Sequence, residues 1–333
     1  MSARHRFGAS APVRVDLAGG WTDVAPFAVE HGGAVVNAAI ELRARVEVEP
    51  GEGDLVLDAR DLGRTARISN GNWTADQRAS FTLQQAALKR AGLIAGIVRT
   101  SCEVPPGSGL GSSGALGVAL ISALDAMHGR RRAPEDVAEA AFELEAVEAG
   151  LAGGRQDQYA AALGGCHLFR FSAAGVQVEA LTPPPEFLAT LERQLVVCFT
   201  GSSRVSSATI SRVMHGYVNR DGRIDAALHR MVELAERMAG AFRAGDLAAM
   251  GELLSANWNC QQQLDSAMRT SDMARLEAAM RIAGVLGAKA AGAGAGGSMV
   301  FLVRDPEAAA RAAAETGARV LPFRWARQGV TTW

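Results

Sequence analysis

The chain has 333 residues, 48% hydrophobic and 21% charged, the make-up of a folded globular protein with room for two domains. Its 34 basic and 35 acidic residues leave a net charge of −1, so no basic field points to nucleic acid or an anionic membrane as partner. No apolar run approaches the roughly 20 residues of a membrane span. The opening MSARHRFGASAPVR lacks the hydrophobic segment of a signal peptide, and Cys102, Cys166, Cys198 and Cys260 form no C-x-x-C pair; a cytoplasmic protein without a zinc or disulfide framework is expected.

In chain order, Ala11–Asp23 (APVRVDLAGGWTD) reads as a strand running into a glycine turn. Val13, Val15 and Leu17 alternate with Arg14 and Asp16, which puts the two charged residues on the opposite face. Further strands are expected at 34–40 and 44–48, a hairpin at 54–58 and 65–68, a helix at 80–91 and a strand at 96–104. Pro105–Gly114 (PPGSGLGSSG) is a glycine-rich turn with two adjacent serines, followed by a helix over 115–127. A helix over 134–150 carries Glu135, Asp136, Glu139, Glu143, Glu145 and Glu148. A second glycine turn, Gly153 and Gly154, leads into RQDQYAAALGG. After a strand at 167–171, LTPPPEF (181–187) is the best linker candidate. Beyond it lie a strand at 194–200 and helices at 206–215, 224–244, 247–263 and 272–286. The glycine cluster KAAGAGAGGSMVF (289–301) leads into a strand at 298–303, then a helix at 306–316 and a strand at 318–323. The pattern is α+β with antiparallel hairpins in the first half.

The first glycine loop has the chemistry of an anion cradle. Glycines let backbone N–H groups turn inward, and the helix start adds free N–H groups and a positive dipole end. Gly109–Gly114 is literally G-x-G-x-x-G, but a dinucleotide site needs a second strand ending in an acid roughly 20 residues on. Here two helical stretches follow instead, and no lysine follows the glycines as in a Walker A loop. A plain strand-to-helix turn would not need two hydroxyls beside a row of acids. A serine in the first turn of such a helix can reach Mg²⁺ on a triphosphate, and Mg²⁺ also takes a carboxylate. Most acids of 134–150 form a solvated face; one of them would serve the metal.

Three motifs, APVRVDLAGGWTD, PPGSGLGSSG and KAAGAGAGGSMVF, together resemble the three signatures of the GHMP kinases, and the resemblance runs from about residue 9 to the C-terminus. Within the family, AGGWTDVAPFAVEHGGAVVNAAI is similar to the kinase domain of L-fucokinase. GGRQDQYAAALGG and FTGSSR are similar to D-glycero-D-manno-heptose 7-phosphate kinase. Both act on an anomeric hydroxyl, so the resemblance implies a sugar 1-kinase using ATP and Mg²⁺ on a small-molecule sugar or sugar phosphate. It also implies the α+β GHMP two-domain fold, with a ribosomal protein S5 domain 2-like N-terminal domain over 1–180 and a ferredoxin-like C-terminal domain over 181–333. Monomer and homodimer both remain open. A non-catalytic sugar sensor is the alternative of another class, set against an intact catalytic set.

The resemblance also implies roles. Asp157 matches the catalytic aspartate that accepts or orients the sugar hydroxyl proton; a helix N-cap is its plainer reading, and both can hold. Arg14 matches a basic residue beside it. Glu145, twelve residues before Asp157, matches a metal-binding glutamate, and Ser113 the metal-binding hydroxyl, with Ser112 as fallback. Pro106, Gly107, Ser108, Gly109, Leu110, Gly111, Ser112, Ser113 and Gly114 would cradle the phosphates, and Asn72 and Trp73 would meet the adenine. Gly20, Trp21, Asp23, Gly154, Gln156, Gly294 and Gly296 would meet the sugar. Trp21 stands where the heptose kinases carry glycine. Arg204 would meet a distal phosphate or be a plain surface arginine.

Overall fold

The computed structural model describes residues 5–201 and 206–333. The first half runs β1 (Phe7–Ala18), α1 (Phe27–Glu30), β2 (Gly33–Pro50), β3 (Leu55–Ala59), β4 (Arg64–Ile68), α2 (Ala75–Ser80), α3 (Thr82–Ala91), β5 (Gly96–Cys102), α4 (Ser112–Met127), α5 (Pro134–Glu143), α6 (Gln156–Leu163), β6 (Cys166–Ser172) and β7 (Gly175–Ala180). The second half runs α7 (Pro185–Gln194), β8 (Leu195–Phe199), α8 (Ser206–Val218), α9 (Gly222–Ala244), α10 (Leu247–Leu264), α11 (Ser271–Met280), β9 (Val285–Ala290), β10 (Ser298–Val303), α12 (Pro306–Glu315), β11 (Arg319–Val320) and β12 (Thr331–Thr332).

Among the described residues the strands form two sheets. The larger has the order β12-β1-β2-β5-β3-β4, with β6 on the far end of β2 and β7 beside it; the smaller is β11-β8-β10-β9. The segments expected at 34–40 and 44–48 are one strand, β2, whose first part pairs with β6 and whose last part pairs with β5. The larger sheet draws its strands from residues 7–180 plus the C-terminal pair 331–332, which lies along Ala9 and Ser10 of β1.

β1 alternates as the sequence predicts, yet both of its faces are buried. It packs with α4, whose Val118, Leu120, Ile121 and Leu124 are buried. A helix apolar nearly all round belongs inside a protein, and α4 is the axis on which the site is built. The structure corrects several boundaries. Of the three prolines, Pro183 and Pro184 lie in the connection between β7 and α7, and Pro185 starts α7, where a missing N–H costs nothing. The helix expected at 80–91 is α3, starting at Thr82, and a short helix not expected from the sequence, α2, precedes it, closed at its start by a reciprocal Thr74–Gln77 cap. The helix expected at 134–150 is regular only to Glu143 and continues as a π-helical turn over Leu144–Glu148. The end of the helix expected at 272–286 belongs to β9, so Lys289 lies on a strand. The four cysteines are free thiols. Among the described residues no helix is long and apolar enough to cross a membrane.

Candidate active site

A cavity of about 460 Å³ opens between the Pro106–Ser113 loop, the Trp21–Asp23 turn, the start of α6 and residues of the second half, including Ile210, Gly292 and Ala293. Its floor is an ion pair. Arg14 projects from β1, and its Nε and Nη2 both donate to Asp157 Oδ1, at 2.8 and 2.6 Å. Its Nη1 donates to the Gly109 carbonyl at 2.7 Å, and its backbone N–H to the Leu110 carbonyl at 3.0 Å. Arg14 therefore ties strand, phosphate-type loop and carboxylate together. Asp157 does not cap α6; Arg155 takes that position, and Asp157 sits in the first turn. Gly114 lets it come there, because a Cβ on Gly114 would stand 2.6 Å from Asp157 Cβ. No group among the described residues is hydrogen-bonded to Asp157 Oδ2, and the carboxylate lines the cavity.

The adjoining wall is built by α4 and the π-helical turn. The Ser113 hydroxyl donates to Glu145 Oε1, and Gln158 Nε2 donates to Oε2 at 2.6 Å. The turn is a local departure from α-helical winding of the sort that re-aims side chains at functional sites. Glu145 has no cation beside it among the described residues, and removal from water with the nearby Asp157 charge pushes its pKa up to about 7. An uncompensated carboxylate with a hydroxyl, at the start of a helix beside a cavity, fits a divalent oxygen-seeking cation. Ser112 also lines the cavity.

The third wall carries Trp21 and Asp23. Asp23 is buried; its Oδ2 accepts from the Gln156 N–H at 3.0 Å and its Oδ1 from Gln156 Nε2 at 3.2 Å. Burial pushes its pKa up to about 6, with the Gln156 N–H opposing and Asp157 adding to the rise. Trp21 is buried at a φ of 89°, uncommon for a side chain of that size, and its indole N–H has no partner among the described residues. Gly154 lies against Asp23, and Gly20 lies over Asp16.

Behind this wall is an ion pair whose two members the sequence reading left without a role. Lys289 Nζ donates to Asp16 Oδ2 at 2.7 Å and to the Asp16 carbonyl at 3.0 Å, with both side chains sealed from solvent. Desolvation lowers the Lys289 pKa while Asp16 opposes the fall. Asn257 of α10 accepts the Gly19 N–H at 2.9 Å. The second half of the chain thus holds the end of β1 at Asp16 and the turn that follows it at Gly19.

Of the predicted residues, the cavity brings together Arg14, Trp21, Asp23, Pro106, Gly107, Gly109, Gly111, Ser112, Ser113, Glu145, Gly154, Gln156 and Asp157. Ser108 and Leu110 are buried behind the loop. Asn72 lies in an exposed turn, and Trp73 lines a separate cavity of about 500 Å³ with Arg78 and Lys89. Gly294 abuts Met268 and Gln261, and Gly296 is buried; Gly292 and Ala293 reach the cavity in their place. The late cluster is glycine-rich partly for loop-on-loop contact, since a Cβ on Gly292 would stand 2.6 Å from the Gly109 carbonyl oxygen. Arg204 lies outside the described residues. Sequence reasoning missed Gln158, Asn257 and the Asp16–Lys289 pair. The signal for the pair was the position of Asp16 on the face of β1 opposite the valines, but its partner Lys289 stands on β9, a strand not expected from the sequence, where Lys289 opens the glycine cluster 289–301.

Residues 78–165 match the family model "GHMP kinases N terminal domain" and residues 238–319 match "GHMP kinases C terminal", together about half of the chain. A bifunctional fucokinase/GDP-fucose pyrophosphorylase of Arabidopsis thaliana is 29% identical over 90% of this chain, which spans only 30% of that longer relative. A D-glycero-alpha-D-manno-heptose 7-phosphate kinase of Campylobacter jejuni is 26% identical, with 97% of each chain covered. The crystal structure of a D-glycero-D-manno-heptose 1-phosphate kinase from Bacteroides thetaiotaomicron superposes with a TM-score of 0.78 at 25% identity, covering 98% of each chain.

Proposed function

Because this chain belongs to the GHMP kinase family, whose members transfer phosphate to hydroxyl acceptors, we propose that it is an ATP-dependent sugar 1-kinase acting at the cavity described above. The observation that carries this reading is the open Oδ2 of Asp157 beside the start of α4, with Oδ1 held by Arg14. The anomeric hydroxyl of the sugar attacks the γ-phosphorus in line, its proton passes to Asp157 Oδ2, and ADP leaves with the electron pair of the broken P–O bond. Arg14 keeps Asp157 oriented and carries positive charge to the edge of the transfer site. Backbone N–H groups of the Gly107–Ser113 loop and the start of α4 receive the phosphates. Ser113 and Glu145 are the residues that would hold Mg²⁺, which when bound neutralises charge on the triphosphate. Asp23, Gln156 and Trp21 form the sugar side, and the Trp73 cavity is the proposed seat of the adenine.

We place the first substrate to try as D-glycero-D-manno-heptose 7-phosphate or a related higher-sugar phosphate, supported by coverage of the heptose kinase end to end. A free sugar of the L-fucose kind is the second reading, favoured by Trp21 on the sugar wall and by the 29% identity to the fucokinase. A coupled ADP-release screen over free sugars and sugar phosphates decides between them, with the phosphorylated position read by phosphorus NMR. Turnover confined to a non-sugar alcohol would overturn the proposal.

A further inference from the structure

On the outer side of the Gly19–Asp23 turn, α1 ends against α9. His31 follows the single turn of α1, while Asp225 and His229 are one turn apart on α9 and so share a face. One ligand atom from each of the three lies within 4.8 Å of the others. The two imidazole rings meet edge-on with centroids 4.8 Å apart, and His229 Nε2 is 3.7 Å from Asp225 Oδ1. Phe27, fully buried, packs against both rings, at 5.4 Å from His31 and 5.2 Å from His229, so each ring has a fixed wall behind it. An outer carboxylate is present too. Glu30 Oε2 accepts the Tyr217 hydroxyl at 2.6 Å and lies 4.0 Å from His31 Nε2.

We propose that His31, Asp225 and His229 form a binding site for a divalent transition ion of the Zn²⁺ class, clamping α1 to α9. Two neutral imidazoles and one carboxylate are the donors that borderline ions choose, and a poor set for Mg²⁺ or Ca²⁺, which take oxygen throughout. Bonds of about 2.0–2.1 Å need ligand atoms roughly 3.3 Å apart, so the three tips close by up to about 1.5 Å. Each side chain is about half exposed, which leaves rotamer freedom for that movement and an open path for the ion. Glu30 is placed to accept the second ring N–H of His31, the outer contact that orients a metal-bound imidazole. The ligands come from opposite halves of the chain, so the ion joins the segment that follows the Trp21–Asp23 turn to the C-terminal helices. α1 is only four residues long and has little helical stability of its own.

The test uses the full chain, stripped with EDTA, with no nucleotide or sugar present, so its outcome does not depend on the kinase reading. Titration with ZnCl2 by calorimetry is expected to show one saturable ion per chain and a rise in Tm, with MgCl2 unable to displace it. His31→Gln and His229→Gln should each weaken binding at least about tenfold, and Asp225→Asn less. All three residues are surface-exposed, so the metal-free variants should melt with the wild type. Co²⁺ should give a visible ligand-field band in the wild type that disappears in His31→Gln. Wild-type stoichiometry and affinity in the His31→Gln/His229→Gln double variant would overturn the site, as would an absence of saturable Zn²⁺ binding to the wild type.

Discussion

Arg14 and Asp16 stand two residues apart on the same face of β1, and each is half of an ion pair, yet the two pairs have opposite surroundings. Arg14 meets Asp157 at the floor of a cavity, and that carboxylate keeps part of its surface in the open. Asp16 meets Lys289 in a sealed interior, where neither side chain exceeds 2% exposure. A charge pair at a cavity can offer one oxygen to a substrate. A sealed pair can only hold backbone in place, and removing one partner leaves a buried charge without compensation. The strand therefore supplies one member of a cavity-lining pair and one member of a sealed pair from successive positions of the same face.

Asp157→Asn breaks the open pair where the proposed chemistry lies. Turnover should fall by about 10²–10⁴-fold, while ATP binding by calorimetry stays near the wild-type value. A variant that turns over close to the wild-type rate would sink the assignment of the base. Lys289→Met breaks the sealed pair and should cost about 3–5 kcal/mol in urea unfolding. The Asp16→Leu/Lys289→Met double variant should recover much of that loss, because it removes the stranded carboxylate as well; a double variant no more stable than the single would remove the contrast.

Asp23 sharpens the comparison, being a buried carboxylate with no cation among the described residues. Its folded pKa of about 6 lies above the ordinary 3.8, so the fold favours the protonated form. The stability this provides is complete below about pH 3.8 and is lost as pH rises through about 6. Relative to Asp23→Asn, the wild type should lose about 3 kcal/mol across that window, as followed by Tm in the absence of ligands. A difference between the two proteins that does not change with pH would show that Asp23 is ionised without penalty. The smallest effects belong to the wall of Ser113 and Glu145. Glu145→Gln should raise the Mg²⁺ concentration needed for half-maximal turnover, and Ser113→Ala should do so less, by a net hydrogen bond's worth of about 1 kcal/mol. Ser112→Ala with a larger effect than Ser113→Ala would exchange the two serines.

Much of this site was legible because its residues are local. The loop from Pro105 to Gly114 shows its anion-cradle chemistry within about ten residues of sequence, Gln156–Asp157 and Trp21–Asp23 lie in short motifs that carry the family resemblance, and the cavity brings them together. Asn72 and Trp73 were chosen by the family resemblance; Trp73 lines a second cavity, which no local pattern shows. Gly294 and Gly296 were chosen because their cluster resembles the third family signature. In a run of alternating glycine and alanine, composition does not say which glycine turns toward the cleft and which packs on another loop; Gly292 and Ala293 reach the cleft.

The sequence by itself determined the α4 core helix, the alternation of β1 and the order of the three glycine motifs, because each depends on propensity and periodicity over one short stretch. Only the tertiary structure decided that Lys289 lies under the Gly19–Gly20 turn, that Asn257 holds Gly19, and that a π-helical turn aims Glu145 at Ser113. Those contacts join residues 32 to 273 positions apart. No local pattern encodes them, since a buried charge is placed by the partner that compensates it and not by its neighbours in sequence.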